Sequence, residues 1–281
     1  MEEEFHNHMR IPWHDYTRKS LGHPITEASL SEKASIIGRT GIMLLSCGTG
    51  AWRVRSSMNT LARELGITCT ADIGLLSIEY TCIDGGDCYT ESLCLFNTGV
   101  NTSKLYRMEL FVNKFATNCK KMSGDELHTL LDQIHEIHGF YSPPFLGLAA
   151  AVACCAFTFL LGGGPTEMFC AFLGAGAGNY LRAKMNQHHL TLFLCTAASV
   201  ALACVVYTIS FMALKSGFDV SIHHQAGYIC SMLFIIPGFP FITSGIDLAK
   251  LDMRSGMERL TYAIIIIAVA TLTAWMLALV L

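Results

Sequence analysis

The sequence predicts an α-helical integral membrane protein with five transmembrane helices and a small N-terminal cytoplasmic α+β domain. Two observations carry this. First, Phe145 to Gly164, Leu190 to Leu214 and Leu260 to Leu281 contain no Asp, Glu, Lys or Arg. Each has about 20 residues or more, enough to cross a hydrocarbon core of roughly 30 Å at ~1.5 Å per residue. Second, the charge is uneven: 13 of the 19 Lys and Arg and 17 of the 22 Asp and Glu precede Pro144. The chain therefore divides into a loosely ordered leader (1–30), a cytoplasmic α+β domain (31–143) and a transmembrane domain (144–281).

The net charge of −3 argues against nucleic acid as a partner. The acidic start Met1-Glu2-Glu3-Glu4 is followed by no apolar run, so it does not resemble a secretory signal. Six of the twelve cysteines fall in apolar stretches, and the other six form no C-x-x-C pair. Reduced thiols are expected, without disulfides or a zinc site.

In the polar domain, Ile36, Ile37, Thr40, Leu44 and Leu45 share one helical face, and Gly48-Thr49-Gly50 breaks the helix. Val54, Met58, Leu61 and Leu65 mark a second helix that stops at Gly66. The period then changes to two. Leu76, Ile78, Tyr80 and Cys82 alternate with Ser77, Glu79 and Thr81, which predicts a strand. Asp84-Gly85-Gly86-Asp87 predicts a turn, and Ser92 to Thr98 the paired strand. Two helices follow. Leu105 to Cys119 carries the first, and the capping box Ser123-Gly124-Asp125-Glu126 opens the second. The predicted order is ααββαα.

Five membrane spans are expected: Phe145 to about Leu161, about Thr166 to Leu181, Leu190 to Leu214, about Gln225 to Ile246, and Leu260 to Leu281. Arg182 and Lys184 follow the second span, and Lys250, Arg254 and Arg259 follow the fourth. The positive-inside rule then places the N-terminus in the cytoplasm and the C-terminus outside.

Most clusters that suggest chemistry have plainer readings. Gly48-Thr49-Gly50 lacks the Lys of a phosphate loop and reads as a tight turn. Asp84 and Asp87 supply too few ligands for Ca²⁺. His128, His135 and His138 read as surface or membrane-proximal histidines. His188-His189 and His223-His224 lie at opposite ends of one span, about 30 Å apart, and cannot share an ion. No metal, cofactor or catalytic residue is assigned.

The irregular spans are the best functional signal. Pro237-Gly238-Phe239-Pro240 interrupts the fourth. Broken backbone at membrane depth must be buried in protein or line a cavity. Thr243, Ser244 and Asp247 follow the break. In the second span Gly174 and Gly178 permit close helix packing, and Asn179 adds a polar group. Short or broken spans point to a transporter's central site. The substrate-binding residues expected are Pro237, Gly238, Pro240, Thr243, Ser244, Asp247 and Asn179. The amides around Phe241 to Ser244 would receive a carboxylate.

Pro237-Gly238-Phe239-Pro240, then Asp247-Leu248, Gly256 and Arg259, resembles the signature of the threonine/serine exporter family. Gly50-Ala51-Trp52-Arg53-Val54 at the second helix fits as well. The resemblance covers about Glu32 to Leu281. It departs from the pattern at Arg55, near which the family pattern implies an acidic residue. The resemblance implies one subunit of a split exporter, whose relatives include bacterial two-component succinate exporters. A second, smaller membrane subunit is implied as partner. The implied activity is export of threonine or serine across a bacterial inner membrane, with a dicarboxylate such as succinate as the alternative. No nucleotide-binding motif is present, so an ion or substrate gradient would drive transport. A membrane-tethered hydrolase and a non-transporting scaffold are the rival readings; no G-x-S-x-G or Cys/His elbow supports the former.

Overall fold

The computed structural model describes residues 11–17, 22–137, 141–188, 190–215 and 225–280. The chain falls into two compact units: Met1–Gly139 with Phe239–Leu260, and Phe140–Gly238 with Thr261–Leu281.

The first unit is built around helix α1, Leu30–Ser46, capped by Ser29, whose hydroxyl accepts the Glu32 amide. α1 is buried over almost its whole length, so it is the centre of the unit and not one side of it. Helix α2, Ala51–Glu64, turns its Val54, Met58 and Leu61 face inward. Three strands follow: β1, Thr68–Ile73; β2, Ser77–Asp84; and β3, Asp87–Cys94. They form one antiparallel sheet in the order β1-β2-β3. Its inner face is Cys69, Ile73, Ile78, Tyr80, Cys82 and Leu93. Each large apolar side chain buried here contributes about 1.5–3 kcal/mol. Tyr80 packs so closely on α1 that a Cβ on Gly38 would lie 2.2 Å from its hydroxyl oxygen.

The sheet differs from the expectation in two ways. β1 was not anticipated, because only Cys69 and Ile73 turn inward and the rest is small or polar. The partner of β2 starts at Asp87, not Ser92. Gly85 and Gly86 both have positive φ (57° and 112°), as a two-residue hairpin turn requires, and this turn sets the register. β3 is mostly exposed, so no alternation marks it.

Helix α3, Thr102–Lys114, and helix α4, Gly124–His135, complete the polar part. The capping box forms: Ser123 Oγ accepts the Glu126 amide, and the Glu126 carboxylate accepts the Ser123 amide at 2.8 Å. The described parts of the leader are docked. Ile25 is fully buried, and its amide donates to Met122 O at 2.9 Å. Tyr16 donates to Glu91 at 2.7 Å, and His14 bridges Asp125 (2.6 Å) and Asp132 (2.8 Å) on α4.

His128 is a core residue, contrary to the expected surface position. Ser35 spends its hydroxyl proton on Glu32 O (2.8 Å), so the His128 Nε2–H donates to Ser35 Oγ (3.1 Å). Nδ1 then accepts from Arg39 at 3.2 Å. In a serine–histidine nucleophile pair the proton flows the other way and a carboxylate holds Nδ1. This pair has neither feature. His138 and the His189, His223 and His224 positions lie outside the described residues.

The second unit contains helices α5, Pro143–Leu160; α6, Pro165–Gln187; α7, Leu192–Lys215; α8, Gln225–Ser231; and the apolar part of the last helix, which runs Met253–Val280. α6 lies between α5 and α7. A Cβ on Gly174 would lie 2.7 Å from Ala203 O, and one on Gly178 2.8 Å from Ser199 O, both on α7. On the other side Gly176 faces Ala151 of α5. The four-residue glycine spacing brings backbones together as anticipated.

Three described helices are long and apolar enough to cross a membrane: α5, α7 and the Met253–Val280 helix. A fourth span results if Gln225–Ile235 and Gly238–Ala249 count as one broken crossing. A count of five would also need α6, whose 23 residues include Glu167, Asn179, Arg182 and Lys184.

Candidate functional site

The Pro-Gly-x-Pro block starts a new helix. A short 3-10 turn ends at Ile235, Ile236 is extended, as the residue before a proline prefers, and helix α9 runs Gly238–Ala249. Pro240 sits in the first turn of α9, where a missing N–H costs nothing. In the second unit, Arg182 donates to Phe234 O at 3.2 Å, beside the break. Arg182 therefore caps broken backbone.

On α9, Thr243, Ser244 and Asp247 are buried while Ile242 and Ile246 are exposed. The hydroxyl protons are used locally: Thr243 Oγ1 lies 2.9 Å from Phe239 O, and Ser244 Oγ donates to Gly256 O at 2.9 Å. The amides expected to receive a carboxylate lie within this helix.

Helix α10 is Met253–Val280. The turn before it contains Leu251 at φ 63°, and the Asp252 amide closes it on Asp247 O at 2.9 Å. Gly256 lets α10 approach α9; a Cβ there would lie 2.7 Å from Leu248 Cγ.

This turn delivers a buried polar junction to the Gly48-Thr49-Gly50 turn. Asp247 is fully buried. Its Oδ2 accepts the Ala51 amide (3.2 Å) and the Ser255 hydroxyl (3.0 Å), and lies 3.3 Å from Arg259 Nε. The Arg259 guanidinium donates to Ser255 Oγ (3.1 Å), Gly48 O (3.1 Å) and Thr49 O (2.8 Å). Asp247 Oδ1 has no hydrogen-bond partner among the described residues and lies 2.9 Å from where a Cβ on Gly50 would be. Such a charge pair tolerates burial only when its remaining hydrogen-bonding capacity is nearly filled. Arg254, by contrast, turns outward to Asp72 and Glu258.

Beside the junction is an open groove of about 580 Å³ between α2 and the α9–α10 turn. Trp52, Arg55, Asn59, Arg63, Lys250 and Asp252 line it. Arg55 pairs with Asp252 at 2.5 Å and donates to Ala71 O at 3.1 Å. Lys250 sits 4.3 Å over the Trp52 ring. Among the described residues, neither Lys250 nor Arg63 has an ion pair, so the groove has an excess of positive charge.

Of the expected site residues, Pro240, Thr243, Ser244 and Asp247 belong to the first unit; Pro237, Gly238 and Asn179 belong to the second. Asn179 donates to Leu146 O at 2.8 Å. Ser255 and the carbonyls of Gly48 and Thr49 were missed, since no spacing links them to Asp247. The hint available was that the two blocks carrying the family resemblance lie at opposite ends of the chain; they meet at Ala51 and Asp247.

The sequence pattern of a family described as "Putative threonine/serine exporter" matches residues 35–281. A relative from Escherichia coli (strain K12), "Probable succinate transporter subunit YjjP", is 26% identical over 244 residues, covering 84% of this chain and 91% of that protein. The protein of the same name from Klebsiella aerogenes is 25% identical over 244 residues, covering 83% and 90%. No solved structure matches. With the family pattern extending across both units, through the Gly50-Ala51 helix start and the Asp247–Arg259 junction, the chain belongs to the threonine/serine exporter family of membrane transporters.

Proposed function

We propose that this chain is one subunit of a secondary transporter that exports small carboxylate-bearing metabolites across a bacterial inner membrane. The observation that carries the reading is the buried Asp247–Arg259 pair. It ties the start of α2 in the polar domain to the helix that follows the Pro-Gly-x-Pro break. A substrate carboxylate is chemically equivalent to Asp247 and would compete with it for the Arg259 guanidinium. Asp247 would thus hold a gate that a carboxylate can release. Thr243 and Ser244, with Pro240, would shape that gate. We read α6 as a fifth crossing, with the N-terminus inside and the C-terminus outside. The relatives are named as subunits, which supports a partner subunit; we read that partner as a second, smaller membrane protein.

The groove favours a dicarboxylate over a zwitterionic amino acid. Arg63 and Lys250, which have no ion pair among the described residues, attract a dianion, whereas an amino acid brings its own ammonium. The name of the relatives supports the same choice; the family description supports threonine or serine.

The test is flux of labelled succinate, threonine and serine in liposomes holding both subunits. Succinate flux is expected to exceed that of either amino acid and to fall in the Arg63→Glu/Lys250→Glu double variant. Faster threonine flux, unaffected by that variant, would move the assignment to the amino acids. No flux of any carboxylate would remove the reading.

A further inference from the structure

The sheet of the first unit holds two thiols that the reading above does not use. β1 and β2 pair with Cys69 directly opposite Cys82, and both cysteines lie on the inner face. Opposite residues of an antiparallel pair have Cα atoms about 4.5 or 5.5 Å apart, and a disulfide spans roughly 4.4–6.8 Å. Both cysteines are free thiols. The two cysteines of β3 are a contrast. Cys88 stands opposite Ile83 and Cys94 opposite Ser77, both exposed on the outer face, so neither has a thiol across the strand.

Core packing asks only for two small apolar side chains here, but these thiols also act on each other. Cys82 donates its S–H to the Cys69 sulfur, which holds the Cys69 thiol below its ordinary pKa although burial opposes this. The same bond, with burial adding to it, pushes the Cys82 thiol up. Cys69 therefore forms the nucleophilic thiolate first, while Cys82 keeps its proton. Access follows the same order. Cys69 is 8% exposed on an edge strand of the sheet, and Cys82 is buried on the central strand.

We propose that Cys69 and Cys82 form a reversible dithiol–disulfide site that responds to a hydroperoxide. The Cys69 thiolate attacks one oxygen of hydrogen peroxide and the O–O bond breaks. Cys69 becomes a sulfenic acid, and the hydroxide that leaves takes up the proton Cys69 released. The Cys82 sulfur then attacks the Cys69 sulfur. The S–O bond breaks, and the hydroxyl departs as water with the Cys82 proton. Two thiols are oxidised to one disulfide, and one peroxide is reduced to two waters. A dithiol reductant returns the pair to the free thiols by exchange.

The bond would act on the groove. Opposite Cβ atoms in a sheet lie about 4.5–5.5 Å apart and those of a disulfide about 3.5–4.5 Å, so closure draws β1 toward β2 by about 1 Å at this row. Two residues along β1, Ala71 O accepts from Arg55 at 3.1 Å, and the next residue, Asp72, pairs with Arg254 of α10. Arg55 lines the groove, so the pull reaches one of its walls. That this alters export rests on the transport reading; that the disulfide forms does not.

The test is peptide mapping of the full chain in membranes, treated with hydrogen peroxide, then unfolded in N-ethylmaleimide and cut with chymotrypsin without reduction. Chymotrypsin separates the two cysteines after Tyr80. A Cys69–Cys82 cross-linked peptide is expected after peroxide and not before, and dithiothreitol should remove it. It should be lost in Cys69→Ser and in Cys82→Ser and persist in Cys88→Ser/Cys94→Ser. Should the variants at Cys69 and Cys82 fail to fold, the cross-link in the Cys88→Ser/Cys94→Ser protein decides alone. Cys69 and Cys82 both alkylated after peroxide, Cys69 bonded to another cysteine, or a sulfinic acid at Cys69 in place of the disulfide overturns the proposal. In liposomes holding both subunits, succinate flux should change as the bond forms and recover with dithiothreitol; flux that ignores the bond overturns its link to the groove. A cross-link that behaves as expected, with no carboxylate flux in the reduced protein, upholds the dithiol site and removes the transport reading.

Discussion

The Asp247 carboxylate accepts the backbone N–H of Ala51 at 3.2 Å, across 196 residues of sequence. Ala51 is the first residue of α2, where backbone donors have no partner within the helix and the helix dipole favours an anion. Asp247 thus serves α2 as a capping residue supplied from the far end of the chain. Gly50, which precedes Ala51, has no side chain to cap with and leaves the space that Asp247 Oδ1 occupies.

Removing one member of the junction should be costly. Asp247→Ala leaves Arg259 buried without its carboxylate and is expected to destabilise the protein by about 3–5 kcal/mol. The Asp247→Leu/Arg259→Met double variant should recover a substantial part of that. Denaturant unfolding in detergent, run as a double-mutant cycle, measures the coupling. Additive losses would mean that the pair does not act as a unit.

Gly50→Ala tests the space beside Asp247. Its Cβ would lie 2.9 Å from Asp247 Oδ1 and 3.3 Å from Trp52 Cδ1. A loss of roughly 1–3 kcal/mol is expected from overpacking. The effect should shrink in the Asp247→Ala background, where the obstructing oxygen is gone. Thermal unfolding of the four proteins checks this.

Two histidines give opposite pH trends. Hydrogen bonds that His14 donates to Asp125 and then Asp132 raise it above its ordinary 6.5. Its stabilisation is fully present below pH 6.5 and is lost as pH rises through the raised folded value. His14 is half-exposed, so the amplitude is small. Burial, with Arg39 adding to it, pushes His128 down to about 3. As pH falls from 6.5 toward 3, the unfolded chain takes up a proton that the folded chain refuses, and stability declines. Melting temperature against pH should lose part of its alkaline-side decline in His14→Gln and part of its acid-side decline in His128→Gln.

Arg182→Ala should leave Phe234 O without its side-chain donor at the break in the second unit. The expected loss is about 1 kcal/mol for a half-buried carbonyl that loses its side-chain donor. Arg182→Lys should recover part of it and Arg182→Gln less. Thermal stability in detergent reads the series; equal losses in all three would mean that the hydrogen bond contributes nothing.

The elements read most clearly from the sequence are those whose cause is local. The apolar runs of α5, α7 and α10 are a property of composition along the chain, independent of what they pack against. The Ser123–Glu126 cap joins residues three apart, the Gly85-Gly86 turn joins neighbours, and Gly174 and Gly178 share a helix face because they are four apart. What the sequence could not show is whatever depends on a distant partner. β1 is a strand because β2 lies beside it, with Thr68 to Ile73 paired to Ile83 to Ile78. His128 reads as a helix-surface residue until Ser35 and Arg39, about 90 positions away, enclose it. Arg259 reads from the sequence as one charge in the loop after the fourth apolar run, yet its guanidinium is spent on Gly48, Thr49, Ser255 and Asp247. Local propensity reaches only a few residues along the chain. Burial and long-range hydrogen bonds are settled when helices and sheet pack, so by itself the sequence determined the apolar runs of α5, α7 and α10 and the break, and only the tertiary structure decided that Asp247 and Arg259, after the break, close on the start of α2.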